Sequence, residues 1–229
     1  MLSFFELWEW FTDIQNWEGR YGLLNLLAEH ISITVSSILL ASLLALPVGV
    51  LIGHRGSGQA LVVGLSSLAR AVPTMGLLFA LVMLFGVNYR DLALTLALAA
   101  IAVPPILAGA YSGVSTIEPG VKTSAVAQGM RPAQLIWHVE LPLAASSIIG
   151  GFRIAYIQVI STVVLAPLVG LGGLGFGIIQ GLALREFSQV TASAVVIVIL
   201  TLTGNALIGM AQNKTRVSIE THHRTGKNK

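Results

Sequence analysis

A run of 22 residues without a charged side chain, from Ile31 to Ile52, constrains the fold more than any other feature of the chain. A helix of this length spans roughly 30 Å, which matches the hydrocarbon thickness of a bilayer. Only 10% of the 229 residues are charged, against about 25% in soluble proteins. We therefore expect an all-α membrane protein.

Four further apolar segments predict membrane-spanning helices. The second predicted span covers 61–86 and contains Pro73, and the third covers 92–111 and contains Pro104-Pro105. The fourth covers 145–168 and the fifth covers 190–210. Proline is tolerated within a span because neighbouring groups can re-satisfy the carbonyls that it frees. The chain is thus predicted to form a bundle of about five transmembrane helices.

The distribution of Lys and Arg predicts the orientation, because cytoplasmic loops are enriched in these residues. With five spans and a cytoplasmic C-terminus, ten basic residues lie on or near the cytoplasmic side and three lie outside. The ten are Arg55, Arg70, Lys122, Arg131, Arg153, Lys214, Arg216, Arg224, Lys227 and Lys229, and the three are Arg20, Arg90 and Arg185. We expect the N-terminus outside and the C-terminus in the cytoplasm.

Three regions are predicted along the chain. Residues 1–29 combine acidic side chains with Trp8, Trp10 and Trp17 and lack the basic start of a signal peptide. They form either a helix at the membrane interface or a packed cap on the bundle. Residues 30–212 form the transmembrane domain, and residues 213–229 form a polar cytoplasmic tail.

Several functional classes are disfavoured by what the sequence lacks. It contains no cysteine and no HExxH spacing, so neither thiolate chemistry nor a metal site is expected. It contains no GxxxxGK[ST] loop, so it is not expected to hydrolyse ATP. The glycine-rich run 170–177 lacks the strand and acidic residue of a dinucleotide-binding unit. We therefore do not expect the chain to be an enzyme.

A polar segment at 118–142 reads as helix, break, helix. Gly129 can supply the positive φ that ends a helix, and Pro132 suits the first turn of the next one. Met130, Gln134 and Trp137 are then available to a soluble partner. The alternative is an ordinary loop that packs on its own bundle.

The spacing within this segment resembles a motif of the permease subunits of bacterial ABC importers. That motif reads Glu-Ala-Ala, three residues, Gly, nine residues, and Ile-x-Leu-Pro. Here Thr123-Ser124-Ala125, Gly129 and Val139-Glu140-Leu141-Pro142 have the same spacing, with Thr and Ser in place of the family's Glu and first Ala. The resemblance implies that this segment couples the pore to an ATPase. The coupling residues would be Thr123, Ser124, Ala125, Gly129, Met130, Pro132, Gln134, Val139, Leu141 and Pro142.

Over residues 28–212 the chain resembles the osmoprotectant branch of these importers, which carries glycine betaine, carnitine or choline. The residues that carry this likeness are HISITVSSILLASLLALPVGVLIG, the segment from Arg70 to Met75, and VGLGGLGFGIIQGL at 169–182. The resemblance implies a type I permease fold in the bacterial cytoplasmic membrane. Candidate pore or gate residues are Pro73, Thr74, Met75, Gln158, Gly172 and Gly173.

The same resemblance implies the partners. They are a cytoplasmic ATPase dimer that binds ATP and Mg²⁺, an external substrate-binding protein, and a second permease that is identical or a paralogue. No nucleic-acid partner and no cofactor bound by this chain are expected. Importers of other small solutes, such as amino acids or methionine, remain an alternative. An ion-coupled secondary transporter is less favoured, since the predicted spans contain no acidic residue.

Two packing hypotheses also follow from the sequence. Glycines four residues apart, at 49 and 53, 109 and 113, and 177 and 181, predict close helix contacts within the subunit rather than a dimer seam. Glu140 is placed where it could pair with Arg153 in a closed state.

Overall fold

The fold is a bundle of α-helices joined by short turns. The computed structural model describes residues 4–226, with the side chains of 4, 69–70 and 216–226 left out of the description. Its α-helices are α1 (Phe4–Thr12), α2 (Leu23–His54), α3 (Gln59–Ala71), α4 (Thr74–Phe85), α5 (Arg90–Ser115), α6 (Pro119–Ala127), α7 (Pro132–Leu135), α8 (Leu141–Thr162), α9 (Gly175–Leu184) and α10 (Phe187–Gly226). Single 3₁₀ turns occur at Ile14–Asn16 and Val87–Tyr89, a longer one covers Val163–Val169, and a π-helical turn covers Ile136–Glu140.

Within residues 4–226, four stretches of helix are long and apolar enough to cross a membrane. They are Leu23–His54, Val87–Ser115, Pro132–Val169 and Phe187–Thr215. Each contains one of the predicted spans, so the membrane class and the helical fold predicted from the sequence are confirmed. The last helix also continues through the predicted polar tail as far as Gly226.

The predicted span at 61–86 differs from the structure, because two shorter helices, α3 and α4, occupy it. Pro73 causes the break. It has no backbone N–H, and it has an extended conformation with φ −69° and ψ 119°. It also disfavours a helical conformation for the preceding Val72. Averaged hydropathy does not detect such a break, since both halves are apolar.

The chain forms two compact units. The first contains the residues up to Leu40, Val72–Ile101 and Tyr156–Gly204, and the second contains Ala41–Ala71, Ala102–Ala155 and the residues after Gly204. Helices α2, α5, α8 and α10 each contribute residues to both units. The predicted division into a terminal segment, a transmembrane domain and a tail is a division along the sequence, and it stays a prediction.

In the first unit, the N-terminal aromatic segment packs on the bundle. Trp10, Phe11 and Trp17 lie against a buried cluster of Leu23, Leu26, Leu174 and Ile197. The Trp17 indole N–H donates a 2.8 Å hydrogen bond to the carbonyl of Phe11. In contrast, the side chain of Trp8 is 63% exposed. The segment therefore has both a packed face and an exposed aromatic face.

Glycine residues allow neighbouring helices within each unit to approach closely. In the second unit, the α-carbon of Gly151 is the close neighbour of Gly109, and Gly49 and Gly53 face Ala110 and Val114. In the first unit, Gly177 and Gly181 of α9 face Ser193 and Val190 of α10. The prediction that these glycine pairs serve packing within the subunit is confirmed, since each meets a helix of the same chain.

Candidate functional site

A Schellman motif centred on Gly129 terminates helix α6, whose last helical residue is Ala127. Gly129 has φ +87°, and its N–H donates to the carbonyl of Val126 at 2.9 Å. The N–H of Met130 donates to the carbonyl of Ala125 at 3.3 Å. These two bonds satisfy carbonyls that the end of a helix would otherwise leave unpaired. The turn predicted at Gly129 is present, and it reverses the chain between α6 and α7.

Helix α7 begins as predicted at Pro132, whose missing N–H costs nothing in a first turn. The Gln134 side-chain carbonyl accepts a 2.8 Å hydrogen bond from the backbone N–H of Arg131 and so closes the start of the helix. One π-helical turn at Ile136–Glu140 then leads into α8. A π turn inserts one extra residue and shifts the faces of a helix.

Some side chains of the coupling segment 118–142 are exposed and others are buried. Trp137 is 69% exposed, and Gln134 is also exposed. Leu135 is only 5% exposed, and Ala125 is 6% exposed. The exposed residues of the segment also include Thr123, Ser124, Gly129 and Pro142. The half-buried ones are Met130, Val139 and Leu141. Trp137 lies in the π turn after α7, and an exposed large aromatic side chain is a typical anchor for a protein partner.

An open pocket of about 440 Å³ lies beside the reversal. Its lining combines Ser124 and Ala125 of α6 with Met130 and Val139 from beyond Gly129. Four of the ten coupling residues predicted from the motif spacing, Ser124, Ala125, Met130 and Val139, thus line one concave surface, here termed the coupling surface. All of them belong to the second compact unit.

Glu140 is buried beneath this surface, with 0% of its side chain exposed. One carboxylate oxygen lies 2.8 Å from Nδ1 of His54 and the other lies 2.9 Å from Nζ of Lys122. Lys122 Nζ also donates to the carbonyl of Val114 at 3.1 Å. The hypothesis that Glu140 pairs with Arg153 is wrong for this structure, because the Arg153 Nε donates instead to the side chain of Asn205.

The candidate pore or gate residues all belong to the first compact unit. Pro73 caps α4, Thr74 begins it, and Met75 is 45% exposed in its first turn. Helix α4 contacts the 3₁₀ turn Val163–Val169. Gln158 is exposed on α8, and its backbone carbonyl accepts from the Thr162 hydroxyl at 2.7 Å.

Gly172 and Gly173 lie in the turn before α9, and the start of α2 holds this turn. The Glu29 carboxylate accepts a 2.9 Å hydrogen bond from the N–H of Gly173, and it lies so close to Gly172 that a Cβ there would overlap it. His30 is fully buried; its Nε2 donates to the carbonyl of Ile160 at 2.9 Å, and its Nδ1 accepts from the N–H of Leu174 at 3.3 Å. Because Nε2 donates and Nδ1 accepts, the His30 ring is neutral and carries its proton on Nε2.

Sequence reasoning missed Glu29, His30, His54 and Lys122 as site residues. Glu29 and Gly173 are 144 positions apart, and His54 and Glu140 are 86 apart. A local pattern carries no information about partners at that separation. The available signal was the placement of three ionisable residues, Glu29, His30 and His54, at the two ends of an apolar run.

Comparison with known proteins identifies the family of the chain. Residues 45–214 match the family described as binding-protein-dependent transport system inner membrane component. The chain is 32% identical to the choline transport system permease protein OpuBB of Bacillus subtilis over 81% of this chain and 85% of that protein. It is 31% identical to the carnitine transport permease protein OpuCB of Listeria monocytogenes, over 84% of this chain and 87% of that one.

Solved structures share the fold. The chain superimposes on the inward-facing MetNI methionine ABC transporter with a TM-score of 0.69 and 23% identity, covering 85% of this chain and 95% of that one. An amino acid ABC transporter matches with a TM-score of 0.64 and 17% identity, covering 93% and 99%. With the family match over most of its length, the chain therefore belongs to the inner membrane components of binding-protein-dependent transport systems, as a multi-pass permease subunit of an ABC importer in the bacterial inner membrane.

Proposed function

We propose that the chain forms the pathway for an osmoprotectant that carries a quaternary ammonium group, such as choline, carnitine or glycine betaine. The names of the relatives support this substrate class, since they transport choline and carnitine. The structural neighbours named for methionine and an amino acid are 23% and 17% identical, which supports the fold and not the solute.

The coupling surface around Gly129 carries the mechanistic part of the proposal. It presents Trp137 and Gln134 next to an open pocket, and the Schellman turn and the capped start of α7 fix its shape. A preformed surface with an aromatic anchor suits docking to a folded partner. That partner is a cytoplasmic ATPase dimer, which binds ATP and Mg²⁺ and performs the hydrolysis. The proposal requires residues 118–142 to lie in the cytoplasm and the N-terminus outside, and the distribution of basic residues supports this orientation.

Two other partners complete the importer. An external binding protein delivers the solute, and a second permease, identical or a paralogue, forms the other half of the pathway. Thr74 and Gln158 are uncharged polar groups suited to passing a cation or zwitterion without tight binding. The turn at Gly172-Gly173 and the break at Pro73 to Met75 serve as gates that open when the ATPases close.

The test is uptake in proteoliposomes that contain the permease with its ATPase, supplied with the binding protein. Labelled choline, carnitine, glycine betaine and methionine are compared. We expect ATP-dependent uptake of at least one quaternary ammonium compound and none of methionine. Uptake of methionine alone would refute the substrate class.

The coupling role is tested with Gly129→Asp in the same vesicles. Gly129 has φ +87°, and a charged side chain there would stand within the docking surface. We expect normal insertion of the permease and loss of ATP-dependent uptake. Unchanged uptake would refute the coupling role, whichever solute is carried.

A further inference from the structure

A fully buried carboxylate beneath a docking surface requires an explanation. Glu140 has no exposed side-chain area and contacts two basic residues, His54 at 2.8 Å and Lys122 at 2.9 Å. Burial of a charge is unfavourable unless it is paired, and well-packed apolar residues usually stabilise a fold as well or better. Stability alone therefore does not account for this cluster.

The two basic partners of Glu140 belong to different helices of the second unit. His54 is the last residue of α2, and Lys122 belongs to α6. Lys122 also donates to the carbonyl of Val114, in the last turn of α5. Glu140 itself is the last residue of the π turn that leads into α8. The C-terminal ends of two long helices thus contact the coupling segment 118–142 on either side of Gly129: α5 contacts Lys122, and α2 contacts Glu140.

Apolar packing around the cluster continues the same connection. Ala110 and Val114 of α5 form a buried cluster with Val50 of α2 and Ala144 of α8, against which Ile136 packs. Two polar contacts of the cluster, His54 with Glu140 and Lys122 with the carbonyl of Val114, are hydrogen bonds. Hydrogen bonds are directional, so they restrict the angle of the segment as well as its distance. Lys122 and Glu140 form an ion pair at 2.9 Å without hydrogen-bond geometry. All of these residues belong to the second compact unit.

Building on the proposed function, we propose that Glu140 is a positioning residue that makes the coupling segment and the ends of α2 and α5 move as one body. The contacts with His54 and Lys122 stay closed throughout transport. A displacement of the segment by the ATPase is then passed directly to these two helices. Without the cluster, the segment follows the ATPase while the helices lag behind.

A distance measurement tests this directly, and the absence of cysteine from the chain makes it simple. Spin labels are attached to the otherwise intact complex through Leu51→Cys, on the last turns of α2, and His138→Cys, on the π turn; both side chains are exposed. We expect one narrow distance distribution that is the same with and without ATP. A shift of the distance on ATP binding would overturn the proposal.

The same labels are then placed on Lys122→Met/Glu140→Leu, which removes both members of the ion pair together and avoids leaving one of them without its partner. We expect a distribution that broadens or shifts when ATP binds, in a complex that still assembles. A distance that stays fixed in this variant would overturn the proposal. The readout involves no solute, so it stands even if the assay with quaternary ammonium compounds fails.

A milder variant changes only the contact with α2. His54 and Lys122 contact different carboxylate oxygens of Glu140, so His54→Ala removes one contact and retains the Lys122 side chain at the other. His54→Asn places an amide N–H near the position of Nδ1. We expect His54→Ala to lower the solute carried per ATP hydrolysed several-fold, and His54→Asn to restore most of it. Equal ratios in wild type and His54→Ala would overturn the role of this contact.

Discussion

Gly129 shows how one residue determines the shape of the coupling surface. Its φ of +87° is unfavourable for any residue with a Cβ, by about 1–2 kcal/mol. We predict that Gly129→Ala lowers ATP-dependent uptake by about 5- to 30-fold, the factor to which such an energy corresponds. Gly129→Asn should be milder, because Asn tolerates positive φ better than Ala. Initial uptake rates in vesicles with equal amounts of permease measure this order.

Gly64→Ala is the matched control. Gly64 lies in α3, outside the coupling segment, is exposed, and has no positive φ. We expect wild-type uptake in this variant. If Gly129→Ala also transports at the wild-type rate, the Schellman turn has no part in coupling.

The turn at Gly129 could be predicted from sequence because it depends on local conformation. A glycine followed by Pro132 at the right distance is enough to indicate that one helix ends and another begins. The environment of Glu140 could not be predicted in this way. Its partners follow from the packing of α2 against α5 and α8, and the sequence suggested Arg153 instead.

The α5–α8 pair in the second unit approaches closely enough for backbone to meet backbone. A Cβ on Gly151 would lie 2.5 Å from the carbonyl oxygen of Pro105 and 3.2 Å from the α-carbon of Gly109. We predict that Gly151→Leu destabilises the permease by about 1–3 kcal/mol or more, the usual cost of overpacking. The midpoint of thermal unfolding of the purified protein in detergent measures the loss.

Gly64→Leu provides the comparison. Gly64 is also a helical glycine, but a Cβ there meets nothing within 4 Å. The intrinsic change in helix propensity is the same at both sites, so the difference between the two variants isolates the contact. Equal unfolding midpoints would show that the α5–α8 approach is not tight.

The turn before α9 is a second element whose position depends on few contacts. Glu29 accepts from the N–H of Gly173, and a hydrogen bond to a charged group is worth about 1.5–3 kcal/mol. We predict that Glu29→Ala raises the rate at which Leu171→Cys reacts with a maleimide by about tenfold. Glu29→Gln retains an oxygen acceptor and should raise it less. Identical rates in all three backgrounds would mean that Glu29 does not hold this turn.

Element boundaries were predictable only where hydropathy and helix continuity coincide. The long helices α2, α5, α8 and α10 contain four of the predicted spans. At 61–86 the hydropathy stays high while Pro73 interrupts the helix, so the prediction and the structure differ. The π turn at Ile136–Glu140 has no sequence signal that we recognise.

At the scale of the molecule, the two kinds of candidate site are divided between the two compact units. The coupling residues belong to the second compact unit, and the candidate gate residues belong to the first. Helix α2 contributes to both, with Glu29 and His30 near its start and His54 at its end. This division could not be predicted from the sequence, because each unit combines segments that lie far apart in the chain.

The orientation of the whole chain is the claim on which the coupling account depends. Gln134 lies on the exposed tip of the coupling segment, and the chain has no native cysteine. The most direct test is therefore labelling of Gln134→Cys with a membrane-impermeant maleimide. We predict no labelling of intact cells, labelling of inside-out vesicles, and protection when the ATPase is bound. Labelling of Gln134→Cys from outside intact cells would contradict the account.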